Sequence, residues 1–127
     1  MDRTESVRAI YDAFGAGDGA RLSEILGDTH WTEAEGMPYG GVYRGFEEVA
    51  ANVFGPIGRD VEGFTAIPDE IIPTGDDRVL AMGRYRGNGA SSPVDTPFAH
   101  LWTVRDGRIT HFVQYVDTHL FRQAVGV

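Results

Sequence analysis

Apolar side chains recur at helical spacing through the first half of the chain and at alternating positions through the second. Val7, Ile10, Tyr11 and Phe14 stand at i, i+3, i+4 and i+7, which predicts a helix with one apolar stripe. Asp2 with Glu5 suits a capped start, and Gly15 and Gly17 suit a stop. Asp18 opens a shorter helix with the stripe Leu22, Ile25 and Leu26, ended by Gly27. A strand is expected over 29–35, then a glycine-rich loop over 36–45. Phe46, Val49, Ala50, Val53 and Phe54 predict a third helix, with Glu47 and Glu48 at its start and Gly55-Pro56 closing it.

Beyond Gly58 the period changes to two. Residues 61–73 read as a strand, or two interrupted at Pro68, and 74–77 as a turn. Strands follow over 78–86, 97–105 and 108–117, with a loop over 87–93 and a short helix in the tail over 118–125. Helices first and an antiparallel meander afterwards predict an α+β fold, with helices over one face of a curved sheet.

Asp106-Gly107 is a strong two-residue hairpin signal, and it sets an expected register. Arg105 then pairs with Arg108, Trp102 with His111, His100 with Val113 and Phe98 with Tyr115. One face would carry Phe98, His100, Trp102, Val104, Ile109, His111, Val113, Tyr115 and Asp117. Large aromatics mixed with His and Asp have the composition of a small-molecule pocket: apolar walls with a few polar groups. The opposite face would carry Ala99, Leu101, Thr103, Thr110, Phe112, Gln114 and Val116. It suits packing of sheet on sheet in a dimer.

Composition narrows the function. The chain has 127 residues, 42% of them hydrophobic and 24% charged, which predicts one ordinary globular domain over 1–127. Eleven basic against nineteen acidic residues give a net charge of −8, which argues against nucleic acid as a partner. No run is long and apolar enough to cross a membrane, and Met1-Asp2-Arg3-Thr4-Glu5 lacks the plan of a secretion signal, so no membrane partner and a cytoplasmic location are expected. Cysteine is absent and the four histidines have no metal-ligand spacing, so no metal and no cofactor are expected.

Three runs carry a resemblance: Phe14-Gly15-Ala16-Gly17-Asp18, Tyr43-Arg44-Gly45 with Phe46-Glu47-Glu48-Val49, and the hairpin from Pro97 to Asp117. In their order and spacing the chain resembles the SnoaL-like branch of the nuclear transport factor 2-like superfamily, close to ketosteroid isomerase-related proteins. The resemblance implies a cystatin-like α+β barrel: a cone-shaped, curved mixed sheet capped by three N-terminal helices, enclosing an apolar cavity. It also implies a homodimer and a small apolar or carbonyl-containing ligand. Functions in that superfamily include isomerases, polyketide cyclases, dehydratases, epoxide hydrolases and non-catalytic modules, so fold alone selects none. The steroid isomerases use a carboxylate base on the first strand, with a tyrosine and a neutral carboxylic acid as oxyanion hole. Gap-free matching from Asp18 puts the base near Glu33, Ala34 or Glu35. The acid falls on His100, and the tyrosine on Ile10, one position from Tyr11. The Asp-Arg-Asp set of limonene epoxide hydrolases has no match.

The catalytic candidates are therefore Glu35 or Glu33 as base and His100, assisted by Tyr115, as oxyanion donor. A carboxylate against Trp31 would have a raised pKa. Asp117 shares the His100 face, and N-cap of the tail helix is its competing role. Trp31, Phe98, Trp102 and Val113 would line the cavity, while Tyr39 and Tyr43 belong to a loop that is either a lid or a plain connection. Arg84 and Arg86 share a strand face and would suit a carboxylate ligand if they faced inward. Three readings stay open: a cofactor-free acid–base enzyme, a binding module, and an interaction domain whose cavity its own side chains fill.

Overall fold

The computed structural model describes residues 2–127. Helix α1 (Arg3–Gly15) starts on the expected box: the Glu5 amide donates to Asp2 Oδ1 at 2.8 Å, and Asp2 N to Glu5 Oε1. Val7, Ile10 and Tyr11 bury its apolar stripe. Helix α2 (Gly19–Leu26) is capped by Asp18, which accepts from the Arg21 amide. Strands β1 (His30–Glu33) and β2 (Gly41–Arg44) follow, so the expected loop over 36–45 ends in a strand paired with β1.

The third helical stretch does not stop at Gly55-Pro56. It runs as α3 (Gly45–Val49), a π-helical segment (Ala50–Phe54) and α4 (Gly55–Asp60). Pro56 stands in the first turn of α4, directly after the π-helical segment. Strands β3 (Glu62–Thr74), β4 (Arg78–Asn88), β5 (Pro93–Arg105) and β6 (Arg108–Val116) complete the sheet, and α5 (Thr118–Val125) ends the chain. Pro68 lies in one continuous β3 beside an irregularity. The strand is at the edge of the sheet, where a missing donor is tolerated.

The six strands run in the order β2-β1-β6-β5-β4-β3. Neighbours are antiparallel except β1 and β6, which are parallel, so the sheet is mixed as the resemblance implied. The curved sheet packs α1 across β3 and β4, and α5 against β5. Trp31, Trp102, Phe112, Phe121 and Val7 are among the buried side chains between helices and sheet. Among the described residues no helix is long and apolar enough to cross a membrane.

One register differs from expectation and moves the site. Arg105 pairs with Arg108 and Val104 with Ile109, but Thr103 then pairs with His111. Thr110 is an extra residue on β6, a bulge two pairs from the turn. Beyond it every partner slips by one: Trp102 faces Phe112, His100 faces Gln114 and Phe98 faces Val116. A one-residue slip exchanges the faces of a strand. Phe112 and Gln114 turn inward, while His111, Val113 and Tyr115 turn outward.

Candidate functional site

Strands β1, β4, β5 and β6 bring Glu33, Tyr85, His100, Trp102 and Gln114 to one small cavity under α1. Its volume is about 50 Å³. Ile10, Trp31, Val53, Ile57 and Phe112 form apolar wall, with Tyr11 reaching in from α1. Phe14, Phe54 and Phe64 sit at its rim, each half-buried, with Phe14 5.2 Å from Phe54 and 6.0 Å from Phe64 between ring centres. Phe54 ends the π-helical segment, a distortion that recurs at functional sites.

A hydrogen-bonded chain crosses this cavity. Trp102 Nε1 donates to Tyr11 Oη at 3.0 Å, and Tyr11 Oη lies 2.6 Å from His100 Nδ1. Tyr85 Oη bonds the other ring nitrogen, Nε2. Gln114 Nε2 donates to Tyr85 Oη at 2.8 Å, while Gln114 Oε1 accepts from the Ala34 amide at 3.0 Å. Burial pushes His100 down to about 3, so its ring is neutral at ordinary pH. Burial raises both tyrosine hydroxyls, Tyr85 further through the nearby charge of Glu33. Phe98 stacks behind His100 with ring centres 3.9 Å apart and fixes its plane.

Glu33 is 1% exposed. Trp31 Nε1 donates to its Oε1 at 2.9 Å, but Oε2 is buried with no partner among the described residues. Burial pushes the carboxyl up to about 7, against the lowering effect of the Trp31 hydrogen bond and the Gln114 amide nearby. Such a group exchanges a proton near neutral pH, which suits a general base.

Of the sequence candidates, Glu33, His100, Trp31 and Trp102 lie on this cavity. Glu35 does not: β1 ends at Glu33, the chain turns as the Met37 amide bonds Ala34 O, and Glu35 is exposed. Tyr115 is 58% exposed on the outer sheet face, and Val113 also points outward, both because of the Thr110 bulge. Asp117 caps α5, accepting from the Leu120 amide at 3.0 Å. Tyr39 donates to Asp60 Oδ2 at 2.8 Å, and Tyr43 donates to Tyr39 O at 2.8 Å. Those bonds staple the 36–43 segment to α4 and itself, away from the cavity. Arg84 points outward and pairs with Asp95 at 2.6 Å, with Arg86 nearby at 3.9 Å.

Sequence reasoning missed Tyr85 and Gln114 and left Tyr11 unassigned. Tyr85 carried a signal: it follows Val79, Ala81 and Gly83 at alternate positions, and a tyrosine on a buried face needs a partner for its hydroxyl. A larger open cleft of about 630 Å³ lies between α2 and the ends of β1 and β6. Its Arg44 and Arg21 are paired with Asp28 and Glu24, and Arg108 also lines it. Among the described residues no group of three or more His, Cys, Asp or Glu could hold a metal ion.

Comparison with known proteins bears on the family and the fold. The model of the SnoaL-like domain matches residues 7–112. An uncharacterised protein of Mycobacterium tuberculosis is 30% identical over 111 residues, covering 86% of this chain and 84% of that one. The crystal structure of an NTF2-like protein from Burkholderia thailandensis superposes with a TM-score of 0.88 at 34% identity, covering 95% of each chain. The crystal structure of TerC co-crystallised with polyporic acid superposes with a TM-score of 0.86 at 26% identity, covering 97% of each chain.

Proposed function

The chain belongs to the SnoaL-like domain family, and from that premise we propose that it performs cofactor-free acid–base chemistry beside a carbonyl of a small apolar ligand. The observation that carries this reading is Glu33, a buried carboxylate on the cavity with one oxygen unpartnered. In the proposed step Glu33 takes a proton from the carbon next to the carbonyl. The C–H electron pair forms a C=C bond, and the carbonyl oxygen becomes an enolate. A tyrosine hydroxyl of the Tyr11–His100–Tyr85 chain donates to that oxygen as charge develops there. Return of the proton to another carbon makes an isomerase, and loss of a leaving group from the β-carbon makes a dehydratase. Co-crystallisation of TerC with polyporic acid supports a cavity of this fold accepting an organic ligand.

The test needs no natural substrate. Acetone, cyclopentanone and cyclohexanone are incubated with the protein in D₂O, and loss of α-protons is followed by NMR. Exchange above the buffer rate is expected, rising as pH passes about 7. Glu33→Gln is expected to lower it about 100-fold or more, the usual weight of a general base. Equal exchange with Glu33→Gln and wild type overturns the assignment.

A second reading is a binding or interaction module without chemistry. The small cavity volume favours it, since about 50 Å³ is room on the scale of a few waters. Under that reading the ketones raise the melting temperature or do nothing, and no α-proton exchanges.

A further inference from the structure

The hydrogen-bond ledger around His100 does not close within the chain. Both ends of the network have fixed direction. Trp102 Nε1 can only donate, so Tyr11 Oη accepts there. The Ala34 amide can only donate to Gln114 Oε1, which orients the Gln114 amide so that its Nε2 donates to Tyr85 Oη. Between them, a neutral imidazole has one N–H and one bare nitrogen. Each ring nitrogen faces one tyrosine hydroxyl. One tyrosine must therefore donate to the bare nitrogen, and the other must accept from the N–H.

The accepting tyrosine keeps a hydroxyl proton with no acceptor among the described residues. With Nδ1 protonated, Tyr85 donates to Nε2 and the spare proton is on Tyr11. With Nε2 protonated, Tyr11 donates to Nδ1 and the spare proton is on Tyr85. A charged ring would leave both hydroxyls spare, with no carboxylate bonded to the imidazolium. Both tyrosines line the cavity, as does Glu33, whose Oε2 is unpartnered among the described residues. The chain thus supplies one unmet donor and one unmet acceptor to the same small space. A buried polar group left without a partner is costly, and a ligand meeting both removes that cost.

We propose that His100 is a positioning residue whose tautomer selects which hydroxyl, that of Tyr11 or that of Tyr85, donates to a ligand oxygen in the cavity. This rests on the reading of the cavity as a carbonyl site. The two donor positions flank opposite edges of one ring and exclude one another. The site therefore accepts one ligand oxygen at a time, and the ligand's shape decides at which of the two tyrosines.

The experiment is long-range proton–nitrogen NMR on full-length protein labelled with ¹⁵N-histidine, with His100 assigned by its absence in His100→Asn. Without ligand, one ring nitrogen of His100 is expected to be protonated and the other bare from pH 5 to 8. Titration with acetone, cyclopentanone and cyclohexanone is expected to drive the ring to a single tautomer. If that tautomer is Nδ1–H, Tyr11→Phe weakens ketone binding about tenfold, the worth of a net hydrogen bond, and Tyr85→Phe weakens it less. If it is Nε2–H, the order reverses. An imidazolium, ring signals that no ketone moves, or a loss falling on the wrong tyrosine or equally on both overturns the proposal. Should one variant fail to fold, the wild-type tautomer and the surviving variant still decide it. Binding and ring signals need no turnover, so this proposal and the proposed acid–base step can fail separately.

Discussion

Burial acts on Glu33 and His100 in opposite senses, and the pH dependence of stability carries both. For Glu33 the folded value is about 7 against an ordinary 4.5. Between those values the folded chain holds a proton that the unfolded chain has lost, so stability falls as pH rises through that window. Above pH 7 the accumulated cost is about 3 kcal/mol. For His100 the folded value is about 3 against 6.5. Between those values the unfolded chain holds the extra proton, so stability falls as pH drops, by about 5 kcal/mol at pH 3. The two slopes oppose each other between pH 4.5 and 6.5, and below 4.5 the histidine acts alone. Thermal melts from pH 3 to 9 are expected to show a plateau over the shared window and a steep acid limb beneath it. Glu33→Gln is expected to melt higher than wild type at pH 8, by up to about 3 kcal/mol, and to lose that advantage below pH 4.5. A variant that melts lower at pH 8 shows that the carboxylate is not held against its preference.

At the scale of elements, local signals placed the first two helices because capping and stripe spacing are short-range features. Asp2 with Glu5, Asp18 and Asp117 all cap where their positions suggested. The Asp106-Gly107 turn also forms, with both residues at positive φ. What alternation alone could not give was the bulge at Thr110, because a bulge is decided by what must be buried further along. Ile109 and Phe112 are both buried, yet they stand three apart, and a regular strand puts such a pair on opposite faces. The extra residue reconciles them, and that odd spacing was the legible clue. The same slip moved Tyr115 and Val113 out of the site and brought Gln114 in. Glu33 over Glu35 rested on where β1 ends: the Ala34 amide leaves the strand ladder and donates to the Gln114 side chain instead. Register and side chain are separable here. Thr110→Ala removes a long 3.4 Å bond to Thr103 O and an exposed 3.0 Å bond with His111 Nδ1, and is expected to cost under about 1 kcal/mol in urea denaturation. Deleting Thr110 drives Phe112 and Gln114 outward and is expected to abolish cooperative unfolding. A deletion variant that melts like wild type refutes the bulge as the determinant of the site.

The slip that builds the cavity also composes the opposite side of the sheet, which bears on assembly. Leu80, Leu101 and Val113 line up across β4, β5 and β6, and Met82, Ala99 and Tyr115 form the next row. All are at least partly exposed, and the paired charges Arg84–Asp95 and Arg105–Asp77 belong to the same strands and the adjoining turn. We propose that a second copy covers this apolar band, its burial outweighing the repulsion between two chains of net charge −8. Two-fold packing of this face on itself would bury both apolar rows and leave each cavity on the far side of its own sheet. Sedimentation equilibrium is expected to give twice the 13.9 kDa chain mass at tens of micromolar. Leu101→Glu, a charge in the middle of the band, is expected to shift the protein to monomer. Because Leu101 faces away from His100 along the same strand, the ring signals of His100 are expected to survive that change. A wild type that sediments as a monomer removes the dimer. A Leu101→Glu monomer whose His100 signals also collapse would mean that the sheet needs its partner to hold the Tyr11–His100–Tyr85 network in place.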